Sequence, residues 1–228
     1  MLVLLRPQNG DFGASADARY TGGTGSSVEF TVPLRRLLQR FVADYSIRSM
    51  VDVPCGAMVW QAKFLERVRS RDPAFRFHGM EIVRNVVKAN RERFAGDPNV
   101  TFEVADMAND PVPPGYDLIF SRDALQHNSF TNIVQALRLW SRSTAKFLLV
   151  GTHPRGINRR STLSGYNFFH LNFDAPPFSM PAPIANLTET TSNWLGEASA
   201  IPKHLYLYSM RQLRAVNYEA MMRRAAKE

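Results

Sequence analysis

Residues 50–60 read Met50-Val51-Asp52-Val53-Pro54-Cys55-Gly56-Ala57-Met58-Val59-Trp60, a short apolar run that ends in an acid and opens into a turn. Met50, Val51 and Val53 flank Asp52 as in a buried strand, Pro54 stops further pairing, and Gly56 permits a sharp bend or a ligand close to the backbone. The stretch that follows, residues 61–71, reads as a helix. The segment therefore predicts a strand–turn–helix unit with a pocket at the carboxyl end of the strand, where open α/β sheets bind nucleotide-type ligands. Its spacing matches neither G-x-G-x-x-G nor G-x-x-x-x-G-K-[ST], so a pyrophosphate or triphosphate is not indicated.

Working outward, the unit repeats. A helix is expected over residues 28–45, with Thr31 as its cap, Pro33 in its first turn, and Leu34, Leu37, Leu38, Phe41 and Val42 at helical spacing. After the strand of residues 47–54 come a second strand at 75–82 ending in Glu81, a basic helix at 83–94, and a third strand at 100–105 running into Asp106. A fourth strand covers 116–120, a helix 130–141, and a fifth strand 146–152. Strands alternating with helices of this length imply βαβ crossovers and a mainly parallel, doubly wound sheet with helices on both faces. Residues 154–183, rich in proline and aromatics, read as ordered functional loops. A late strand is expected at 204–209, a short helix at 210–216, and a basic tail that forms a final helix. The domain plan is an N-terminal Gly/Ser-rich segment, 1–27, which is either a flexible tail or a lid over a ligand, followed by one domain, 28–228, with substrate-side loops at 154–200.

At 228 residues and 45% hydrophobic content the chain can bury a sizeable core. It has no apolar run of about 18 residues, so no membrane span is expected, and residues 1–10 have too short an apolar core for a signal peptide. The expected address is cytoplasmic, which the single cysteine, Cys55, also fits. Small and buried is the commoner state for such a cysteine. Lys plus Arg of 28 against Asp plus Glu of 20 gives a net charge of +8 and raises nucleic acid as a partner. The basic residues nevertheless lie in scattered helical clusters, as solvated helix faces do, rather than in one stripe interleaved with aromatics.

Three successive strands end in acids, Asp52, Glu81 and Asp106, and the fourth leads into Arg122-Asp123. In a parallel sheet these ends share one edge. A carboxylate at the second strand end is placed to accept both ribose hydroxyls of an adenosine, and Asp106 could accept from its adenine. Singly, each has a structural alternative: Asp106 capping a turn, Asp52 satisfying backbone N–H groups, Glu81 pairing with Arg84. Together at the right strand ends they favour a ligand.

With these residues in view, the chain resembles class I S-adenosylmethionine-dependent methyltransferases. The resemblance rests on DVPCG-x-M-x-W from Asp52, the acid Glu81, the pair Ala105-Asp106, and SRDALQH at residues 121–127. Within that class the chain is most similar to a little-characterised subfamily whose N-terminal segment ends in SG-x-GS, here GGTGSS at residues 22–27. The resemblance implies a Rossmann-like, seven-stranded sheet with a reversed last strand, and S-adenosyl-L-methionine as cofactor. It implies cofactor contacts from Asp52, Pro54, Cys55, Gly56 and Trp60 in the turn, Glu81 and Ile82 at the ribose, Asp106 and Met107 at the adenine, Arg122, and Gly25 and Ser26. Where the family often has Asp after the motif glycine, this chain has Ala57, so the resemblance implies that one contact to the cofactor's amino group is either missing or moved. No metal is called for.

Methyl transfer from a sulfonium is an in-line displacement in which the cofactor carries the activation, so few obligatory catalytic residues are expected. If residues 123–127 are helical, Asp123 and His127 share a face, and His127 could take a proton with Asp123 orienting it; the alternative is that both serve local structure. Acceptor contacts are expected from Tyr20, His153, Tyr166, Asn167, Phe169 and His170. The expected partner is a small-molecule or side-chain methyl acceptor, with an RNA or protein methyltransferase or a non-catalytic cofactor-binding module as alternatives.

Overall fold

The computed structural model describes residues 24–159, 168–192 and 198–227. Its seven strands are β1 (Ser49–Asp52), β2 (Arg76–Glu81), β3 (Val100–Val104), β4 (Leu118–Ser121), β5 (Phe147–Thr152), β6 (Ala185–Ser192) and β7 (Ala198–Ser209). They lie side by side in the order β3-β2-β1-β4-β5-β7-β6. The first five run parallel, β7 pairs antiparallel with β5, and β6 pairs antiparallel with β7. The last strand of the chain is therefore the reversed one. The helices are α1 (Val32–Asp44), α2 (Gln61–Arg69), α3 (Arg84–Arg93), α4 (Phe130–Ser141), α5 (Met210–Arg214) and α6 (Tyr218–Ala225).

Both faces of the sheet are covered, which is why the central strands read as continuous apolar runs. Alternate residues divide between two cores. Val51, Ile119, Leu148 and Val150 pack with Ile133, Leu137 and Trp140 of α4, together with Tyr208 and Met221. Met50, Leu118, Phe120, Leu149, Leu205 and Leu207 pack with Leu38 and Phe41 of α1 and Phe64 of α2. Local capping agrees with the boundaries: Ser129 accepts from the Asn132 N–H, Asn217 from the Ala220 N–H, and Ser209 forms a reciprocal capping box with Gln212.

Two local expectations change. Thr31 stands before α1 but its hydroxyl donates back to the Ser27 and Val28 carbonyls, so it does not cap the helix. Within residues 154–200, read as loops, the chain forms β6, and the late strand reaches back to Ala198. The polar sequence of β6, ANLTETTS, suits an edge strand that faces solvent on one side.

The crossing of β2 under the β1 turn requires a glycine at position 79. A Cβ there would lie 2.6 Å from both Cys55 Sγ and the Phe102 ring. Gly79→Ala is expected to cost about 1–3 kcal/mol through overpacking, and thermal unfolding should register it as a lowered Tm.

Candidate active site

The carboxyl ends of β1, β2, β4 and β5 form one edge, and the β1–α2 turn lies across it. Beyond β1 the chain pairs with both neighbours in turn: Val53 N–H donates to the Phe120 carbonyl at 2.9 Å and Cys55 N–H to that of Met80 at 2.9 Å. The Val53–Pro54 peptide is cis. Gly56 then takes φ of +55°, with open space where a Cβ would stand. Its N–H donates to Glu81 Oε2 at 3.2 Å, while the second oxygen of Glu81 accepts from Val83 N–H at 3.0 Å. The Glu81 carboxylate is thus fixed by N–H groups rather than by Arg84. With one N–H on each oxygen, it retains acceptor capacity for two hydroxyls.

Two residues that the sequence did not single out hold this turn. Gln61, the first residue of α2, donates to Asp52 Oδ2 at 2.9 Å and to the Cys55 carbonyl at 2.8 Å. Asn90 of α3 donates to the Gly56 carbonyl at 2.8 Å. Both are buried polar residues on otherwise apolar helix faces, and that misfit was the available signal. Cys55 and Trp60 are buried as well. Trp60 packs edge-on to Phe120 at 6.0 Å, and burial pushes the Cys55 thiol well up, so both side chains brace the turn from below. Asp106 accepts from Ala108 N–H at 2.9 Å and from Asn109 Nδ2 at 2.6 Å, the turn-capping geometry; Met107 beside it packs against the core. Ile82 is half-buried after the Glu81 strand end.

Beside the turn lies a cluster of four charges. Arg122, 8% exposed, donates through Nε and Nη2 to Glu189 Oε1 at 2.9 and 2.6 Å, and through Nη1 to the Gly25 carbonyl at 3.1 Å. Nη1 also lies 3.0 Å from Asp123 Oδ2, which receives Lys203 Nζ at 2.6 Å. Burial alone would lower the Arg122 pKa and raise that of Asp123. Their opposite-charge neighbours outweigh it, holding the guanidinium above its usual range and the carboxyl well below. Glu189 stands at a register irregularity between Thr188 and Thr190, where β6 advances two residues while β7 advances one. It continues the inward series Ala185, Leu187, Glu189, so an acid sits where the pattern calls for an apolar side chain. Its partner Lys203 follows the same rule, two residues before the core residue Leu205.

Asp123 has φ of +55°, and residues Leu125–His127 form a single 3-10 turn. The α-helical pairing expected of Asp123 and His127 is therefore absent, and the Asp123 carboxylate is engaged instead by Lys203, Arg122 and Gln126. His127 packs against Phe168 at 5.5 Å between ring centroids, Phe168 against His170 at 5.1 Å, and His170 against His153 at 5.1 Å. His153 follows β5 directly and His170 comes from the loop beside it. Phe169 points the other way, buried edge-on to Phe130 at 5.0 Å, and belongs to the core. Gly25 and Ser26 lie in a short 3-10 turn at Thr24–Ser26, and Gly25 touches the cluster through Arg122. Tyr20, Tyr166 and Asn167 lie outside the described residues. Among the described residues, no group of three or more His, Cys, Asp or Glu is placed to hold a metal ion, and no helix is long and apolar enough to cross a membrane.

Residues 50–146, which span the braced turn and the strand-end acids, match the family model described as a methyltransferase domain. That stretch is similar to methyltransferase domains, and the chain has the Rossmann-like fold of S-adenosylmethionine-dependent methyltransferases. Its fold is shared with the O-methyltransferase of a polyketide synthase multienzyme from Brevibacillus brevis, solved with S-adenosyl-L-homocysteine, at a TM-score of 0.60. That alignment has 12% identity and covers 87% of this chain and 78% of the other. An S-adenosylmethionine-dependent methyltransferase from Clostridium acetobutylicum gives a TM-score of 0.53 at 8% identity, covering 78% and 91%. At these identities the likeness is one of fold. By sequence, the phosphoethanolamine N-methyltransferase of Plasmodium falciparum (isolate 3D7) is 34% identical over 76 residues, 32% of this chain and 29% of that relative's length.

Two outcomes follow from the electrostatics. Burial, partly offset by Gln61 and Arg122 and reinforced by Glu81, pushes Asp52 up to about 7. A carboxyl raised in the folded state binds more protons than its unfolded counterpart between the two pKa values. Its stabilising contribution is thus complete below about 3.9 and lost as pH rises through about 7. Asp52→Asn, which keeps an oxygen for Gln61, should therefore gain stability relative to the wild type between pH 5 and pH 8, by on the order of a few kcal/mol. Thermal unfolding of both proteins across that range measures it. For the cluster, Glu189→Leu leaves Arg122 buried without its main partner and should cost up to about 3–5 kcal/mol. The double variant Arg122→Met with Glu189→Leu should regain much of that loss in urea unfolding.

Proposed function

We propose that the domain catalyses transfer of the methyl group of S-adenosylmethionine to an oxygen or nitrogen of a small molecule. The observation that carries the proposal is the single sheet edge on which the bare Gly56 turn, Asp52 and Glu81 meet, with half-buried rings and charged groups immediately beside them. In this reading Glu81 and Ile82 receive the ribose and Asp106 and Met107 flank the adenine. Asp52, Gly56 and Arg122 face the methionine portion, with Gly25 and Ser26 over it; Pro54, Cys55 and Trp60 act by shaping the turn. The cofactor, when bound, supplies an activated methyl on a sulfonium. The protein positions the acceptor, excludes water and receives a proton.

Asp123 serves as a positioning residue, because its carboxylate is committed to Lys203, Arg122 and Gln126. His127 and His153 stand at the two ends of the ring series, and this reading gives the acceptor's proton to one of them. The local likeness to a phosphoethanolamine N-methyltransferase places ethanolamine-type amines among the acceptors to be screened. A second reading, methylation of RNA or protein, is favoured by one feature: Arg84, Lys88 and Arg91 of α3 line a groove beside β3. Steep weakening of RNA binding with salt would support it.

Calorimetric titration with S-adenosylhomocysteine tests the cofactor reading. Glu81→Gln should weaken binding by about tenfold or more, the size of a hydrogen bond to a charged group. Because Asp52 is raised toward neutrality, pairing with a cofactor cation should expel a proton near pH 7. Binding enthalpies would then differ between buffers of different ionisation enthalpy. No binding at millimolar ligand would exclude the proposal.

A further inference from the structure

The rings beside the cofactor edge form a continuous wall. His127, Phe168, His170 and His153 follow one another at centroid separations of 5.5, 5.1 and 5.1 Å, with successive planes inclined by 52°, 82° and 82°. The wall is built in advance. Thr152 Oγ1 and His153 N–H both donate to the Leu171 carbonyl, at 3.0 and 2.6 Å. Asn158 donates to the Asn172 and Pro176 carbonyls, and Asn172 to those of Pro154 and Gly156. Gly156 packs so tightly that a Cβ there would lie 2.2 Å from the His170 carbonyl oxygen. A rigid array of π faces and edges recognises flat ligands through edge-to-face and offset contacts, without a further ordering cost on binding.

The two imidazole ends of the wall are not equivalent. His127 rides on a single turn after Asp123 and is half-buried. His153 is 5% exposed, continues β5, and has its Nδ1 buried without a hydrogen-bond partner. Among the described residues no group engages that nitrogen, and a buried polar atom left so calls for a partner, a role a ligand's hydroxyl can fill. The charged and titratable groups around it are Lys203 and His204 on β7, Asp123 after β4, and His170 in the wall.

On the reading given above, we infer that the methyl acceptor is a planar aromatic molecule that lays its ring on the Phe168–His170 wall and presents an acidic hydroxyl to His153. As the oxygen–methyl bond forms and the sulfonium–methyl bond breaks, the hydroxyl proton passes to His153 and the cofactor leaves as a neutral thioether. The histidine then returns its proton to solvent. Lys203, paired with Asp123 at 2.6 Å, adds its ammonium to the same edge. Burial, with Lys203 and His170, brings His153 down to about 4, so it is neutral at physiological pH and only weakly basic until an anion lies beside it. Such a base can take a proton from a phenol, pKa about 10, far more readily than from an aliphatic hydroxyl, which is close to water at about 15.7.

The test is transfer of a labelled methyl group to phenol, 4-nitrophenol, cyclohexanol and ethanolamine, with S-adenosylhomocysteine titrated in parallel. Methylation of the two phenols but not of cyclohexanol or ethanolamine is expected. His153→Gln should lower turnover on phenol by about 10²-fold but spare 4-nitrophenol, which reaches the site largely ionised. Phe168→Leu should raise KM for both phenols several-fold with little change in kcat. Equal losses on both phenols in His153→Gln would overturn the role of His153. Methylation of ethanolamine in preference to the phenols would overturn the acceptor class while leaving methyl transfer intact. If neither phenol is methylated and calorimetry detects no 4-nitrophenol binding to the cofactor-product complex, the inference fails alone. Absence of S-adenosylhomocysteine binding removes the parent reading and the inference with it.

Discussion

The contact on which the site depends is the pair between Arg122 and Glu189, whose side chains are 3% and 2% exposed. A guanidinium this deeply buried persists only because two of its nitrogens meet one carboxylate oxygen and a third meets Asp123 and the Gly25 carbonyl. Geometry makes the pair a strap. Arg122 leaves the end of β4, Glu189 belongs to edge strand β6, and β5 and β7 lie between them in the sheet. Joining them over that interval fixes the carboxyl edge and brings Lys203 and the Thr24–Ser26 turn onto it.

The other half of the edge is held by a different device. The β1 turn packs Val53, Cys55, Met58 and Trp60 into the core, and its carbonyls are satisfied from outside: Gln61 on the Cys55 carbonyl, Asn90 on that of Gly56, Arg93 on that of Met58. Glu81 completes the frame by receiving the Gly56 N–H. These bonds come from α2, α3 and β2, so the turn is rigid because three flanking elements converge on it. A rigid turn with open space beside Gly56 suits a ligand that is oriented by contact with backbone.

Much of this was legible beforehand. The alternation of apolar runs with amphipathic helices located five strands of a mainly parallel sheet, because a sheet covered on both faces must write that pattern into its chain. The strand-end acids Asp52 and Glu81 were visible as acids that close apolar runs. Other features were not. β6 is an edge strand with a polar outer face, and its ANLTETTS sequence carries little of the hydrophobic signal that marks buried strands. The helical reading of residues 123–127 failed because Asp123 adopts a left-handed backbone while its carboxylate is held by Lys203, 80 positions away. Phe168 and Phe169 are adjacent and alike in sequence, yet one packs between His127 and His170 and the other enters the core.

By itself, then, the sequence determined the doubly wound sheet, the turn at Gly56 and the edge on which its acids gather, since all three follow from local periodicity and from residues close in the chain. Only the tertiary structure decided which charges meet, that Glu189 and Lys203 face inward, and that His153 and His170 stand in one wall with Phe168. Those outcomes depend on side chains brought together from β4, β6, β7 and the loop after β5, and burial of a charge is resolved only once its distant partner is in place.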